Sequence, residues 1–345
     1  MCADNCFEMA QGITIEDVAR EAGVCIGTVS RVINGKDRVH PQTRERIQGV
    51  INRLGYRPSA LGRGLVTRRT QSIMLLVHNI ADPFCVALAK HLSGLCREDG
   101  YKLLLGDADY APAMEAESLE MARDGSVDGL IVAPVGGRLN QGRFGELASA
   151  GFPVVAVDES LAECRIPCVR FDDRLAGRIA TDHLLDRGHR HIAFVDWHAE
   201  FQTVADRYQG YLESHEARGL KVAAGLHLKL PGSLAQVREV LAGAFAKRTK
   251  PSALIAINEM VALTCFNALG QLGHEVPGEI ALLAIGDMFP EGSLSKPMTT
   301  VSLPVEELAG RAWSLLQKRM EKGAKPVAKA PVERVVPRLS PGQTT

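Results

Sequence analysis

The chain has 345 residues, 46% of them hydrophobic, with 40 basic side chains balanced by 40 acidic ones. That length and apolar content exclude a single small module and point to two or three domains with real cores. No apolar run approaches a membrane span, and the N-terminal MCADNCFEMAQG carries acids where a secretory leader needs cations and a long apolar stretch, so the expected location is cytoplasmic. The eight cysteines are then expected as reduced thiols. Two C-x3-C pairs, Cys2/Cys6 and Cys164/Cys168, lack further ligands at metal-site spacing, and no metal is expected.

The first elements lie between Thr14 and Asn34. Ile15, Val18 and Ala19 make one short amphipathic helix; Ala22, Gly23 and Val24 make a tight corner; Val29, Val32 and Ile33 make a second helix. This is a helix-turn-helix pattern, with an ordinary helical hairpin as the alternative for the segment alone. Its second helix turns Ile26, Gly27, Ser30 and Arg31 away from the apolar side, where a DNA reader needs its contacts. A third helix is expected over about Pro41 to Leu54, with proline in its first turn and Arg44, Arg46 and Arg53 among the core positions Ile47, Val50, Ile51 and Leu54. Residues 1–70 hold eleven Lys+Arg and seven Asp+Glu, which leaves 29 basic and 33 acidic side chains beyond them. The neutral total therefore hides a basic head on an acidic body. Such a head is the electrostatic footprint of phosphate binding, although a solvated charged face looks alike in isolation.

Tyr56 and Pro58 end the third helix, because proline disfavours helical geometry in the residue before it. A short candidate helix, Ser59 to Leu65, and the basic TRRT follow; by composition the stretch is equally a flexible linker.

From Ser72 onward short apolar runs alternate with helical patterns. SIMLLV, KLLLG, DGLIVA and PVVAV form one series, with helices over Pro83 to Asp99, Met114 to Arg123 and Phe144 to Ala150. CVRF, HIAFVD, a weaker strand near Leu226 to Leu230, ALIAI and IALLAI form a second. Its helices fall at Asp173 to Asp186, Thr203 to Arg218, Leu234 to Ala246 and Glu259 to Leu272. Alternation of this kind predicts two parallel-sheet lobes covered by helices, with a ligand cleft between them and binding residues just after the apolar runs. A last helix is expected over Val305 to Met320; the tail beyond it has prolines and no leucine heptads, which favours a dimer over a tetramer. Enzyme signatures are missing from the sequence: no glycine-rich phosphate loop, no nucleophile elbow, no zinc-spaced histidines. No cofactor is expected.

Taken together, TIEDVAREAGV, GTVSRVING, RVHPQTRERI and LGYRPSALGRGL in the head resemble the LacI/GalR family of bacterial transcription regulators. ADPF, KLLLGDAD, VDGLIVAP, FDDRLAGRIATDHLLDRGHRHIAFV, DRYQGY, ALIAINEMVAL and KPMTTVSLPVEELAGRA extend the resemblance through the body, from about Ile13 to Arg338. It implies a helix-turn-helix head over 13–58, a hinge over 59–70 that becomes helical on DNA, and a periplasmic-binding-protein-like core. The expected lobes are 71–166 plus 297–325, and 167–296 plus 326–340. It also implies a homodimer on a pseudo-palindromic operator and a small-molecule effector.

By the same resemblance, Ile26, Gly27 and Arg31 read bases, while Thr14, Thr28, Ser30, Asn34 and Thr43 hold the phosphate backbone; Tyr56 is grouped with them, and Leu65 is the hinge wedge in the minor groove. Cys25 stands where a serine usually caps the recognition helix, and Gly62 and Gly64 stand where helix-compatible residues are common. For the effector the implied residues are Phe84, Asp158, Trp197, Arg207, Asn258 and Asp287. A structural ion pair remains the alternative for Arg207, core packing for Phe84, and surface packing for Trp197. The usual ND pair is Asn258-Glu259 here, and Gly286 replaces an aspartate. The expected function is a repressor controlled by a sugar or sugar acid. A corepressor- or partner-protein-dependent regulator with a nucleobase or other metabolite is the alternative; a carbohydrate-binding protein without a DNA role is a third reading.

Overall fold

The computed structural model describes residues 13–33, 35, 39–57, 69–136, 139–197, 201–230, 234–288, 296–322 and 330–345. The chain divides into two compact units, Met1–Thr70 and Gln71–Thr345. Asn34 and the hinge residues 59–68, with Gly62, Gly64 and Leu65, lie outside the described residues.

In the first unit α1 (Ile15–Ala22), α2 (Ile26–Ile33) and α3 (Pro41–Leu54) close around Val18, Ala19, Val29, Val32, Ile47 and Val50. Thr14 opens α1 with a capping box: its hydroxyl accepts the Asp17 amide at 3.3 Å while the Asp17 carboxylate takes the Thr14 amide at 3.0 Å. Gly23 stops α1 at φ 63°, a left-handed corner that a side chain would strain, and this sets the angle at which α2 leaves. Arg53 on α3 meets Glu21 on α1 at 2.8 Å. Both side chains are exposed, so the pair adds at most about 1 kcal/mol and the apolar centre carries the fold.

The second unit contains two six-stranded sheets. The first is built from β1 (Ser72–Val77), β2 (Lys102–Asp107), β3 (Gly129–Val132), β4 (Val154–Val157), β5 (Cys168–Phe171) and β11 (Val332–Val335), in the order β11-β5-β4-β3-β1-β2 with every pairing parallel. The second contains β6 (Ile192–Asp196), β7 (His227–Lys229), β8 (Ala253–Ala256), β9 (Ala281–Ile285), β10 (Thr299–Ser302) and β12 (Arg338–Ser340), in the order β12-β10-β9-β8-β6-β7 and antiparallel only at β12. The two orders are the same pattern used twice.

Both faces of each sheet are covered, which is why the strands read as unbroken apolar runs. In β1, Ile73, Leu75 and Val77 join one core and Met74 and Leu76 the other. The helices are α4 (Pro83–Glu98), α5 (Pro112–Arg123) and α6 (Gln141–Ser149) with the first sheet, and α7 (Asp173–Asp186), α8 (Gln202–Ala217), α9 (Leu234–Phe245) and α10 (Glu259–Gln271) with the second. The last helix, α11 (Val305–Lys322), returns to the first sheet, where Leu316 packs over Gly129 and Trp313 donates to Asp99 at 2.7 Å.

Strand pairing corrects three expected boundaries. CVRF is β5 and pairs with β4, so it closes the first sheet instead of opening the second. TTVS is β10 and pairs with β9 in the second sheet, not the first. VERV is β11 and pairs with β5, so the first sheet receives a strand from the tail. The chain consequently crosses between the sheets after β5, between β10 and α11, and between β11 and β12.

Helices α7 and α8 cross at two glycines. A methyl group built on Gly177 would overlap the Arg207 carbonyl oxygen, and one on Gly210 would overlap that of Arg174. The two backbones touch directly there, which sets Asp173 of α7 within 2.9 Å of Arg207 on α8, a residue of the cleft wall. No helix among the described residues is long and apolar enough to cross a membrane.

Candidate functional site

The exposed face of α2 carries Ile26, Gly27 and Arg31, with Thr28 and Ser30 half-buried beside them. Val29 and Val32 anchor the opposite side, so the helical period alone decides which residues face outward. Thr43 sits in the first turn of α3, its amide donating to the His40 carbonyl at 3.0 Å, and Tyr56 packs half-buried against the head core. Cys25 precedes α2, its sulfur 3.2 Å from the Thr28 hydroxyl. The hydroxyl and then the amide of Thr28 hold this exposed thiol below its ordinary range.

In the second unit a cavity of about 270 Å³ lies where the carboxyl ends of both sheets meet. Phe84, Asp158, Trp197, Arg207 and Asn258 all line it. Asp287 does not: it is exposed, and Met288 lines the cavity instead. Gly286, at φ 116°, redirects the chain as β9 ends, and that turn takes the Asp287 position out of the strand's alternation.

Five further lining residues were not singled out as ligand contacts from the sequence: His78, Asp82, Tyr110, Phe201 and Glu259. The signal was available for two of them, because His78 immediately follows β1 and Tyr110 closely follows β2. His78 is a ring among rings, 5.4 Å from Tyr110, 5.6 Å from Phe201 and 6.4 Å from Phe84 between centroids. Asp82 and Cys85 overcome the burial that would otherwise lower the His78 pKa and raise it well above the ordinary value.

Arg207 enters the cavity from the first turns of α8 and is only 8% exposed. Its Nε donates to Asp173 at 2.9 Å and its Nη1 to the Ile257 carbonyl at 2.5 Å. The ion pair and a place on the cavity wall thus coexist in one side chain. Asn258 caps α10, its Oδ1 accepting the Val261 amide at 2.9 Å. That use of Oδ1 leaves the amide nitrogen as the group for a ligand.

The lobes also clasp one another. Glu159, just beyond β4, accepts the Gln202 and Thr203 amides at 3.1 and 2.9 Å, so an acid from the first lobe sits on the positive end of α8 in the second. Arg170 on β5 reaches Asp206 on α8 at 2.7 Å.

Two acids in the cavity titrate unusually. Burial, then the nearby Asp173 charge, push Asp158 up to about 6, with Arg207 opposing. Burial likewise pushes Glu259 up to about 7, against the pull of its own amide and that of Met288. Folding therefore favours the protonated forms, and their contribution to stability is complete below about pH 4 and lost as the pH climbs through those values. The ligand-free body is expected to melt at falling temperatures between about pH 5 and 8, and Glu259→Gln to flatten the upper part of that decline. Calorimetric scans across this range check it; a midpoint that rises with pH in the wild type and is unaltered by Glu259→Gln contradicts it.

Residues 14–59 match the model for bacterial regulatory proteins of the lacI family, and residues 181–345 match the periplasmic binding protein-like domain. The HTH-type transcriptional regulator DegA of Bacillus subtilis (strain 168) is 30% identical over 296 residues, 86% of this chain and 88% of DegA. The HTH-type transcriptional regulator PtxS of Pseudomonas plecoglossicida is 33% identical over 319 residues, 90% of this chain and 89% of PtxS. Among solved structures, the lac repressor dimer bound to operator and the anti-inducer ONPF superposes with a TM-score of 0.84 at 20% identity, covering 97% of this chain and 99% of that one. The complex of the transcriptional regulator CelR with cellobiose gives 0.71 at 26% identity, covering 96% of this chain and all of that one. With a helix-turn-helix head, a two-lobed ligand-binding body and relatives that match along nearly their whole length, the chain belongs to the LacI family of DNA-binding transcriptional regulators.

Proposed function

We propose that the chain is a repressor that binds a pseudo-palindromic operator as a homodimer and changes its affinity when a sugar or sugar acid occupies the cleft. The observation that carries this reading is the composition of the cavity wall. Flat apolar faces from Phe84, Tyr110, Trp197 and Phe201 stand beside a few converging polar groups from Arg207, Asn258 and Asp158. Rings stack on the apolar face of a sugar while the polar groups take its hydroxyls. The CelR complex, with cellobiose, supports the same class. Exposed Leu104 and Leu105 on the edge strand β2, with Met114 and Met121 on α5, supply apolar surface for a second copy. Ligand control follows if the ligand binds one lobe arrangement better than the other.

On the head, Arg31 is the side chain that makes the two-pronged contact to a guanine, and Thr14, Thr28, Ser30 and Thr43 hold the backbone of the half-site. Binding-site selection at fixed salt is expected to return a palindromic sequence. Arg31→Ala should weaken specific binding by roughly 1 to 3 kcal/mol per half-site and relax one base pair, while Thr14→Ala weakens all sequences alike. An unchanged sequence preference in Arg31→Ala removes it from base reading. Operator titrations with sugars, aldonates and nucleobases then identify the ligand class, and a response confined to nucleobases replaces the sugar reading.

A further inference from the structure

The room beside Gly286 is already occupied. A methyl group built on this residue would overlap Oε2 of Glu259. Glu259 is the first residue of α10, is only 4% exposed, and lines the cavity. Its Oε1 accepts the Met288 amide at 2.8 Å, which fixes the carboxylate over the end of β9. A carboxylate from a helix start thus fills the volume that a side chain at position 286 would take, and the left-handed φ of 116° at Gly286 keeps that position to glycine.

The other charges in the cavity are largely claimed. Arg207 is paired with Asp173 at 2.9 Å, and His78 faces Asp82 at 3.5 Å. What remains to meet a ligand is acidic: Glu259 from the second lobe and Asp158 from the first. A ligand between them has to bring hydrogen-bond donors, and an added negative charge would face two carboxylates in a poorly solvated space.

We propose that Glu259, lodged in the room left by Gly286, is the specificity-determining residue of this cleft, accepting ligand hydroxyls and selecting a neutral sugar over the corresponding sugar acid. The proposal deepens the sugar-ligand reading and rests on it. The Arg207 guanidinium then orients the ligand without attracting an anion, since Asp173 already neutralises it.

The test titrates the full chain with matched pairs, D-glucose with D-gluconate, D-galactose with D-galactonate, and cellobiose with cellobionate, by thermal shift and calorimetry at about pH 8.5, above the values to which burial pushes Asp158 and Glu259, so that both are carboxylates. Binding is expected only for neutral members, and Glu259→Gln should weaken it by roughly tenfold or more, the scale of a hydrogen bond to a charged acceptor. Binding of the aldonates, or a neutral sugar whose affinity ignores Glu259→Gln, overturns the assignment. A second arm needs no ligand: thermal unfolding of Gly286→Ala, Glu259→Ala and the double variant. The loss caused by Gly286→Ala should shrink by about half or more in the Glu259→Ala background, where only backbone strain is left. Additive losses overturn the lodging of Glu259. If no probe shifts the wild-type protein, the sugar reading and the selectivity fall together, and the second arm alone judges the lodging.

Discussion

Gly177→Ala and Gly210→Ala are each expected to destabilise the body by about 3 kcal/mol, among the largest losses available from a single methyl group. Neither position has room: the added carbon would overlap a carbonyl oxygen of the facing helix, and backbone does not swing aside as a side-chain tip does. Relief requires α7 and α8 to separate. Since α7 carries Asp173 and α8 carries Arg207, the separation also stretches the ion pair that holds Arg207 at the cleft wall. Ligand affinity should therefore fall in the same variants even where they remain folded. Gly243→Ala on α9 is the control, because nothing lies within 4 Å of its added carbon, and it should gain up to about 1 kcal/mol. Urea unfolding of the three variants measures the difference. A Gly177→Ala protein as stable as Gly243→Ala would show that the crossing tolerates a wider separation.

Arg207→Ala is expected to cost about 3 to 5 kcal/mol and to abolish the response to effector, because it strands the Asp173 carboxylate, only 1% exposed, with Arg170 at 3.4 Å as its remaining partner. The two effects separate in Arg207→Met/Asp173→Leu, where apolar side chains of similar size replace both charges. That variant should recover most of the stability and bind operator, yet remain blind to the ligand. Operator titrations with and without effector, alongside thermal unfolding, distinguish the outcomes. A double variant that still responds to effector assigns Arg207 to structure alone; one that fails to recover stability means that the Ile257 carbonyl, which Arg207 also satisfies at 2.5 Å, dominates its structural role.

Local pattern was enough for the head and for most strands. The three short helices, the corner at Gly23 and the outward face of α2 follow from spacing and chain chemistry within a few residues, and α3 begins and ends where its proline and apolar period place it. Sheet membership was harder to read. CVRF and TTVS have the same local character whichever sheet they join, and only pairing with β4 and β9, decided by distant residues, assigns them. VERV carries an exposed, charged strand edge with a single buried valine, too weak a pattern to register as a strand. At the cleft, five of the six residues that the family resemblance implied line the cavity. Asp287 is exposed and outside that wall, because the left-handed turn at Gly286 carries the chain away as β9 ends. Glu259 was noticed as a departure, but its link to Gly286 is a contact between the start of α10 and the end of β9 that no spacing along the chain reveals.

The return of the tail to the first sheet has a consequence for how the protein is made. Trp313 on α11 stacks edge-on against Tyr101 at 5.7 Å and donates to Asp99, while β11 completes the sheet beyond β5 only at residues 332–335. The lobe that leaves the ribosome first thus lacks a covering helix and an edge strand until nearly all of the chain has been synthesised. Its apolar strands have to wait exposed while the second lobe, whose sheet lacks only β10 and the marginal β12 by the time β9 emerges, assembles around its own core. Nascent chains should gain protease resistance in the reverse of their order of synthesis, the C-terminal lobe first and the N-terminal lobe last.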